Sequence, residues 1–436
     1  MKRLIQIFTL LLIFIQGSFS QWWPFIEQNS GTSANLTSGS QPSWSSVWVC
    51  GYSGTVIRTS NSGMNWSDAS SNLPSTLELV NIIAVSDSLA LTVGNIGDTT
   101  YVYRTSDYGL NWARVFTQND GYLDAIWMRT VTTGFMMGDP VAGRWSLWKT
   151  TNAGLNWDST GLYLPQSGTE YGYNNCLFCS QDNIWFGTNN YRIYYSSNYG
   201  QSWQVQPTSE SQTIRVIYRE SWGTDFLAGG SQLLSTTNNG TNWTIVNDMP
   251  GTGNITGITD PNPGIFNAPP YLYGVPLICR QNKVYIHAYW LQRWDTIYTA
   301  PANINYLFKS FQEPFNTWGG GCFALRSAGG IAVCECQLGE VKSLSDVIPQ
   351  NYKLYQNYPN PFNPVSMIKF EIPGYSNLKI TVYNELGKEI AVLVDERLKG
   401  GIYEVQWDAS DFASGVYFYR LITEKFSDTK KMVLIK

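Results

Sequence analysis

The chain has 436 residues, 43% of them hydrophobic, 15% aromatic and only 14% charged, with 39 glycines and a formal net charge of -4. Such a length exceeds one ordinary domain, and abundant glycine and aromatic residues describe short strands joined by tight turns. The acidic balance argues against nucleic acid as a partner, because phosphate recognition needs basic patches.

Residues 1–20 read as a secretory signal peptide: Lys2 and Arg3, an apolar run from Leu4 to Ile15, then Ser18-Phe-Ser20 before Gln21. The run is too short to cross a bilayer, and no later segment is apolar enough to do so. After it, Trp23-Pro-Phe-Ile-Glu-Gln-Asn-Ser-Gly31 reads as a strand.

Five near-copies of one eight-residue segment follow, ending at Trp66, Trp112, Trp157, Trp203 and Trp243, at spacings of roughly 40 to 46 residues. That is the period of one four-stranded propeller blade. Each copy has a mechanical reading: hydroxyl residues end a strand, Asn61, Asp107, Asn152, Asn198 or Asn238 bonds the turn backbone, and Gly63, Gly109, Gly154, Gly200 or Gly240 takes the left-handed position. Tryptophan then starts an outer strand, as in Trp112-Ala-Arg-Val-Phe116, and Trp294-Asp-Thr-Ile-Tyr298 repeats the plan without a turn box. A last blade takes three strands from about Ile304 to Cys336 and borrows its fourth from Trp23 onward, which ties the chain ends and hides two sheet edges. Outer strands at Trp23, Trp66, Trp112, Trp157, Trp203, Trp243 and Trp294 predict an all-β, seven-bladed propeller over residues 22–341. Six blades is the alternative, because the stretch from Gly253 to Gly330 is irregular.

Beyond a linker at residues 342–351 the character changes. Pro359, Asn360, Pro361 and Phe362 open a second segment, 352–436, whose strand runs and turns, including Asn384-Glu-Leu-Gly387, predict a small immunoglobulin-like β-sandwich. From Tyr352 onward about 11 basic residues face 10 acidic ones, so the propeller carries the negative charge, about minus seven.

Seven cysteines cannot all pair. Cys176-Leu-Phe-Cys179 has no partner motif and the sole histidine is His287, so core thiols or a local disulfide are expected and no metal or cofactor. A cross-strand bridge from Cys322 to Cys334 or Cys336 is the other expectation. A binding mouth built from inner-strand loops would draw on Asp139, Arg144 and Trp145 in the Gly-Asp-Pro loop, Tyr171 and Tyr173 before the fourth inner strand, and Arg215 and Glu220 flanking the fifth.

The repeated segments resemble the Asp-box, or BNR, repeat, with Asn in place of Asp in four copies. Val49-Cys-Gly-Tyr-Ser-Gly-Thr-Val-Ile-Arg-Thr59 is similar to the photosystem II assembly-factor-like group of such propellers. That resemblance implies fold and binding, with a protein or glycan as the extracellular partner. Sialidases of this fold use an arginine triad and a Phe/Tyr-Arg-Ile-Pro motif; Tyr191-Arg-Ile193 runs into Tyr194 instead of proline, so no catalytic residues are assigned. A glycoside hydrolase or sialidase-like enzyme is the alternative.

The tail resembles the type A C-terminal sorting domain of the type IX secretion system, through Tyr358-Pro-Asn-Pro-Phe-Asn363, Val382-Tyr-Asn-Glu-Leu-Gly387, Gly415-Val-Tyr417 and Lys430-Lys-Met-Val-Leu-Ile-Lys436. This implies passage through the periplasm of a Gram-negative bacterium and then across the outer membrane, with the product released or surface-attached. A monomer is expected.

Overall fold

A computed structural model describes residues 25–43, 45–61, 63–208, 213–219, 226–259, 276–288, 293–309, 322–334, 342–345, 348–398, 400–409 and 412–435. The signal-peptide reading, Trp23, Glu220 and Cys336 lie outside these. Every regular element among the described residues is a strand, as the alternating apolar runs require.

The chain divides into two compact units. In the first, strands β2 to β5 (Leu36–Ser40, Val47–Gly51, Val56–Thr59, Ser67–Asp68) form one antiparallel sheet in chain order. The same meander recurs in β6 to β9 (Glu78–Ala84, Ala90–Ile96, Thr99–Thr105, Ala113–Asn119) and in β10 to β12 (Leu123–Met128, Gly134–Val141, Arg144–Thr150). Next come β13 to β16 (Leu177–Ser180, Asn183–Gly187, Arg192–Ser196, Gln204–Pro207) and β17 to β20 (Val216–Arg219, Phe226–Gly229, Leu233–Thr236, Thr244–Val246). Then follow β21 to β24 (Ile255–Thr259, Leu277–Arg280, Lys283–Ala288, Arg293–Thr299) and finally β25 to β27 (Ile304–Lys309, Cys322–Arg326, Ile331–Cys334). The last sheet gains its fourth strand from β1 (Phe25–Gln28), which runs antiparallel to β27 with Phe25 opposite Cys334. Leu36, Val49 and Ile57 of the first sheet pack in one cluster with Phe308, Phe323 and Val333 of the last. The sheets therefore close on themselves, the architecture of a β-propeller.

The third sheet lacks a regular outer strand. After Trp157 the chain turns at Ser159 to Gly161, and pairing with β12 survives only as the bridges Lys149 to Asp158 and Arg144 to Pro165. Leu162 and Leu164 in this segment are buried in the core instead.

The repeated turns share one hydrogen-bond pattern. Gly63, Gly109, Gly154, Gly200 and Gly240 have φ between +76° and +91°. Each donates its N–H to the hydroxyl four residues earlier, Thr59, Thr105, Thr150, Ser196 or Thr236, at 2.9 to 3.2 Å. The Oδ1 atoms of Asn61, Asp107, Asn152, Asn198 and Asn238 accept the N–H four residues later at 2.9 to 3.0 Å. Asparagine thus replaces aspartate at no cost to the turn. The tryptophans that follow lock neighbouring sheets together: Trp112 stands edge-on to Trp48 at 6.2 Å and donates to the Ala69 carbonyl, and Trp66 meets Phe323 at 6.5 Å.

In the second unit, β28 (Lys342–Ser345), β29 (Lys353–Leu354), β30 (Val365–Ile372) and β33 (Gly401–Asp408) form a sheet in the order β28-β33-β30-β29. The other sheet orders β32 (Glu389–Leu398), β31 (Ser376–Asn384), β34 (Gly415–Thr423) and β35 (Ser427–Leu434) as β32-β31-β34-β35. Phe370, Trp407, Tyr419 and Met432 are buried between them. Lys342–Ser345, read above as linker, instead pairs with β33, because its extended run can satisfy an open sheet edge. The sorting-motif residues fasten the end of the chain: Phe362 is buried and exchanges backbone hydrogen bonds with Val433 and Ile435. Asn360 Oδ1 accepts the Val433 N–H at 2.9 Å, and the Tyr417 hydroxyl donates to the Ala413 carbonyl at 2.7 Å.

Candidate functional site

The innermost strands of the propeller, β2, β6, β10, β13, β17, β21 and β25, all begin at one end of the ring. Five of them skip a residue after the first or second pair with the second strand, between Leu36 and Ser38, Leu79 and Asn81, Leu123 and Ala125, Ile255 and Gly257, and Ile304 and Tyr306. The extra residues are Thr37, Val80, Asp124, Thr256 and Asn305. A bulge re-aims the side chain it displaces and bends the strand. The glycines opposite the first three bulges, Gly51, Gly94 and Gly138, are required by close approach: a Cβ would stand 2.5 Å from Asn35 O, 2.7 Å from Glu78 O and 2.1 Å from Tyr122 O. Gly51 is the glycine of the Cys-Gly strand in the sequence motif.

The displaced polar side chains stitch neighbouring blades together. Thr37 Oγ1 donates to Leu79 O at 2.8 Å, Thr256 Oγ1 to Ile304 O at 2.7 Å, and Asn305 Nδ2 to Asn35 Oδ1 at 2.7 Å. Asn175, just before β13 with φ +65°, reaches across the ring. Its Nδ2 donates to the Thr37 and Val80 carbonyls at 3.2 Å each, its Oδ1 accepts from Asn81 at 2.8 Å, and its own N–H donates to Asp124 O at 3.0 Å. One residue from the fourth blade therefore ties the first three, the first two through its side chain and the third through its backbone N–H.

Above this floor lies a cavity of about 520 Å³, lined by Tyr52, Tyr173, Asn174, Arg215, Asn254 and Asn303 among others. The Arg215 guanidinium lies 4.3 Å over the Tyr173 ring. Burial, and then the Tyr171 hydroxyl, push the Tyr173 phenol up to about 12. Asp124 is wholly buried, with Oδ2 lacking any hydrogen bond, and burial followed by the charge of Asp139 raises its carboxyl well above the usual range. Burial raises Asp139 too, although its Oδ1 accepts the Gly172 N–H at 2.7 Å. Among the described residues no three histidine, cysteine or acidic side chains gather as a metal site.

The structure brings Tyr173 and Arg215 together at this mouth and sets Tyr171 beside them, rings 5.5 Å apart. Asp139 stands behind the mouth, holding Gly172, and lies within β11 rather than in a loop. Arg144 and Trp145 differ from the expectation: both sit on β12, beside a separate cavity of about 190 Å³. Trp145 is only 2% exposed because its indole packs against Phe186 and Tyr194, 4.8 and 5.8 Å away, in the core between two blades. Sequence reasoning missed the amides, although Asn35-Leu-Thr37, Asn254-Ile-Thr256 and Asn303-Ile-Asn305 repeat one pattern at the same bulge. Of the two expectations for Cys176 and Cys179, core thiols or a local disulfide, the structure has the first, both being buried thiols, whereas Cys322 faces Cys334 across β26 and β27 without the expected bridge.

Residues 356–436 match the family described as a secretion system C-terminal sorting domain. The tail is a sorting domain of the type IX secretion system. Such a domain implies export to the cell surface or beyond it. No curated protein matches the chain in sequence. In structure it is similar to YCF48 bound to D1 peptide, with TM-score 0.54 and 14% identity over 72% of this chain and 97% of that one. It is also similar to YCF48 from Cyanidioschyzon merolae, with TM-score 0.53 and 15% identity over 71% and 98%. The WD40 β-propeller domain of Doa1 gives TM-score 0.52 and 11% identity over 72% and 98%. At these identities the likeness establishes the fold.

Proposed function

We propose that the chain is an exported binding protein, a seven-bladed propeller whose ligand, a protein or a glycan, enters at the bulged ends of the inner strands. The observation that carries this reading is the mouth itself: bulges in separate blades turn polar side chains toward one cavity of about 520 Å³. That one similar propeller is described as bound to a peptide agrees with a binding role. On this reading residues 1–20 are a cleaved signal peptide, the sorting tail meets the type IX machinery, and the monomeric propeller is released or held at the surface.

The test fills the mouth. Asn254→Trp and Asn303→Trp replace exposed side chains at its rim and touch no core. The full chain should give hits on glycan and peptide arrays, and both variants should lose them while melting like the parent. Hits that survive both changes put the ligand elsewhere. The competing hydrolase reading has one observation in its favour, the adjacent carboxyls of Asp124 and Asp139. Turnover of a glycoside that Asp139→Asn abolishes would establish it.

A further inference from the structure

Resting on the mouth as the ligand site, we propose that the ligand is a glycan carrying an isolated carboxylate, such as a single uronic acid residue, with the acid on Arg215 and the sugar hydroxyls on the surrounding amides.

Arg215 is the first reason. Its Nε is buried without a hydrogen-bond partner, and among the described residues no carboxylate pairs with it. A buried donor left without an acceptor is unfavourable, and the planar fork of this half-buried guanidinium matches a carboxylate. Tyr173 holds that fork in place from one side. Neither Asp139, which accepts from Gly172, nor Asp124, wholly buried with its Oδ2 against Gly172, pairs with Arg215.

The amides are the second. Asn174, Asn254, Asn303 and Gln281 line the cavity, and none of their side chains has an intramolecular hydrogen bond among the described residues. Each amide offers a donor and an acceptor side by side, the complement of a sugar hydroxyl, which is also both. A peptide C terminus would satisfy Arg215 equally but would need apolar pockets for its side chains, and every lining residue except Gly253 and Ile304 carries a polar side-chain group. Net charge decides between a single acid and many: a chain of formal charge -4 repels a polyanion, so the carboxylate is isolated on an otherwise neutral glycan.

The experiment is titration calorimetry on the full chain with four probes: an oligosaccharide bearing one glucuronate, its methyl ester, and a decapeptide with a free or an amidated C terminus. The glucuronate should bind about tenfold or more tighter than the ester, a difference of about 1.4 kcal/mol. Arg215→Gln should abolish that preference, and Arg215→Lys, which keeps the charge without the fork, should retain part of it. Equal binding of acid and ester, no binding of the glucuronate, or binding of the free-acid peptide in its place overturns the proposal. Ester binding that Asn254→Trp removes would keep the mouth as the site while the acid preference falls; sugar binding indifferent to both tryptophan changes would remove the mouth as well.

Discussion

Glu27→Ala should unfasten the ring where the chain closes it. Glu27 lies on β1, and its carboxylate receives Arg326 Nη1 at 3.0 Å and a second, short bond from Nη2; the Tyr298 hydroxyl donates to it as well. Arg326 also donates to the Tyr298 hydroxyl at 2.7 Å, and Phe25 stacks on the Tyr298 ring at 4.7 Å. The Arg326 side chain is 5% exposed and that of Glu27 48%. Removing a partner from a fully buried pair costs about 3 to 5 kcal/mol. Glu27 is half in solvent, so screening reduces the loss to about 2 kcal/mol. In a unit of this size that lowers Tm by about 3 °C.

The pH dependence gives the sharper check. Burial raises the Glu27 carboxyl, but the hydrogen bonds from Arg326 and Tyr298 and the charge of Arg326 outweigh it and leave it below the usual value. A lowered carboxyl contributes stability above its unfolded value of about 4.3, and that contribution disappears as pH falls through the folded value. Scanning calorimetry at neutral pH and in acid below the folded value should therefore show a gap between parent and variant that closes in acid. Adding Arg326→Leu to the variant should recover part of the loss, since no buried cation is then left unpaired. An unchanged Tm at neutral pH, or a gap that persists undiminished in acid, refutes the reasoning.

Asn175→Gly keeps the left-handed backbone but deletes three side-chain hydrogen bonds across the ring; at about 1 kcal/mol each it should cost about 2 to 3 kcal/mol, and a urea midpoint equal to the parent's would show that the amide is no tie. Asp124→Asn should do the opposite. The folded carboxyl of Asp124 is raised, so stability is unaffected below the unfolded value of about 3.9 and falls as pH rises toward the folded one; the variant should melt a few degrees higher at neutral pH with a flatter pH profile, and a lower Tm there would count against a buried, protonated acid.

The parts that were legible in the sequence are those whose chemistry is local. In Thr105 to Trp112 a hydroxyl, a carboxylate and a glycine satisfy one another within eight residues, so a single copy already states its turn, and five in period state the ring. The closing strand was readable for a related reason, as the run behind Trp23 repeats the plan of the other tryptophan-led outer strands. Trp145 was not, because alternation on β12 places it on one face or the other without saying that Phe186 and Tyr194 of the next blade cover that face.

The mouth stood between these cases. Asn254-Ile-Thr256 and Asn303-Ile-Asn305 carry a local signature as plain as the turn box, yet their meaning depends on a register slip set by the second strand of each sheet. Without the slip, alternation would send Thr256 and Asn305 to the face opposite Ile255 and Ile304 along an ordinary pleat. With it they gather at the axis, beside Arg215 from another blade. Convergence of residues some forty positions apart needs the ring to be closed first, so the stability of the closure at Glu27 and Arg326 and the shape of the mouth are one property of the fold.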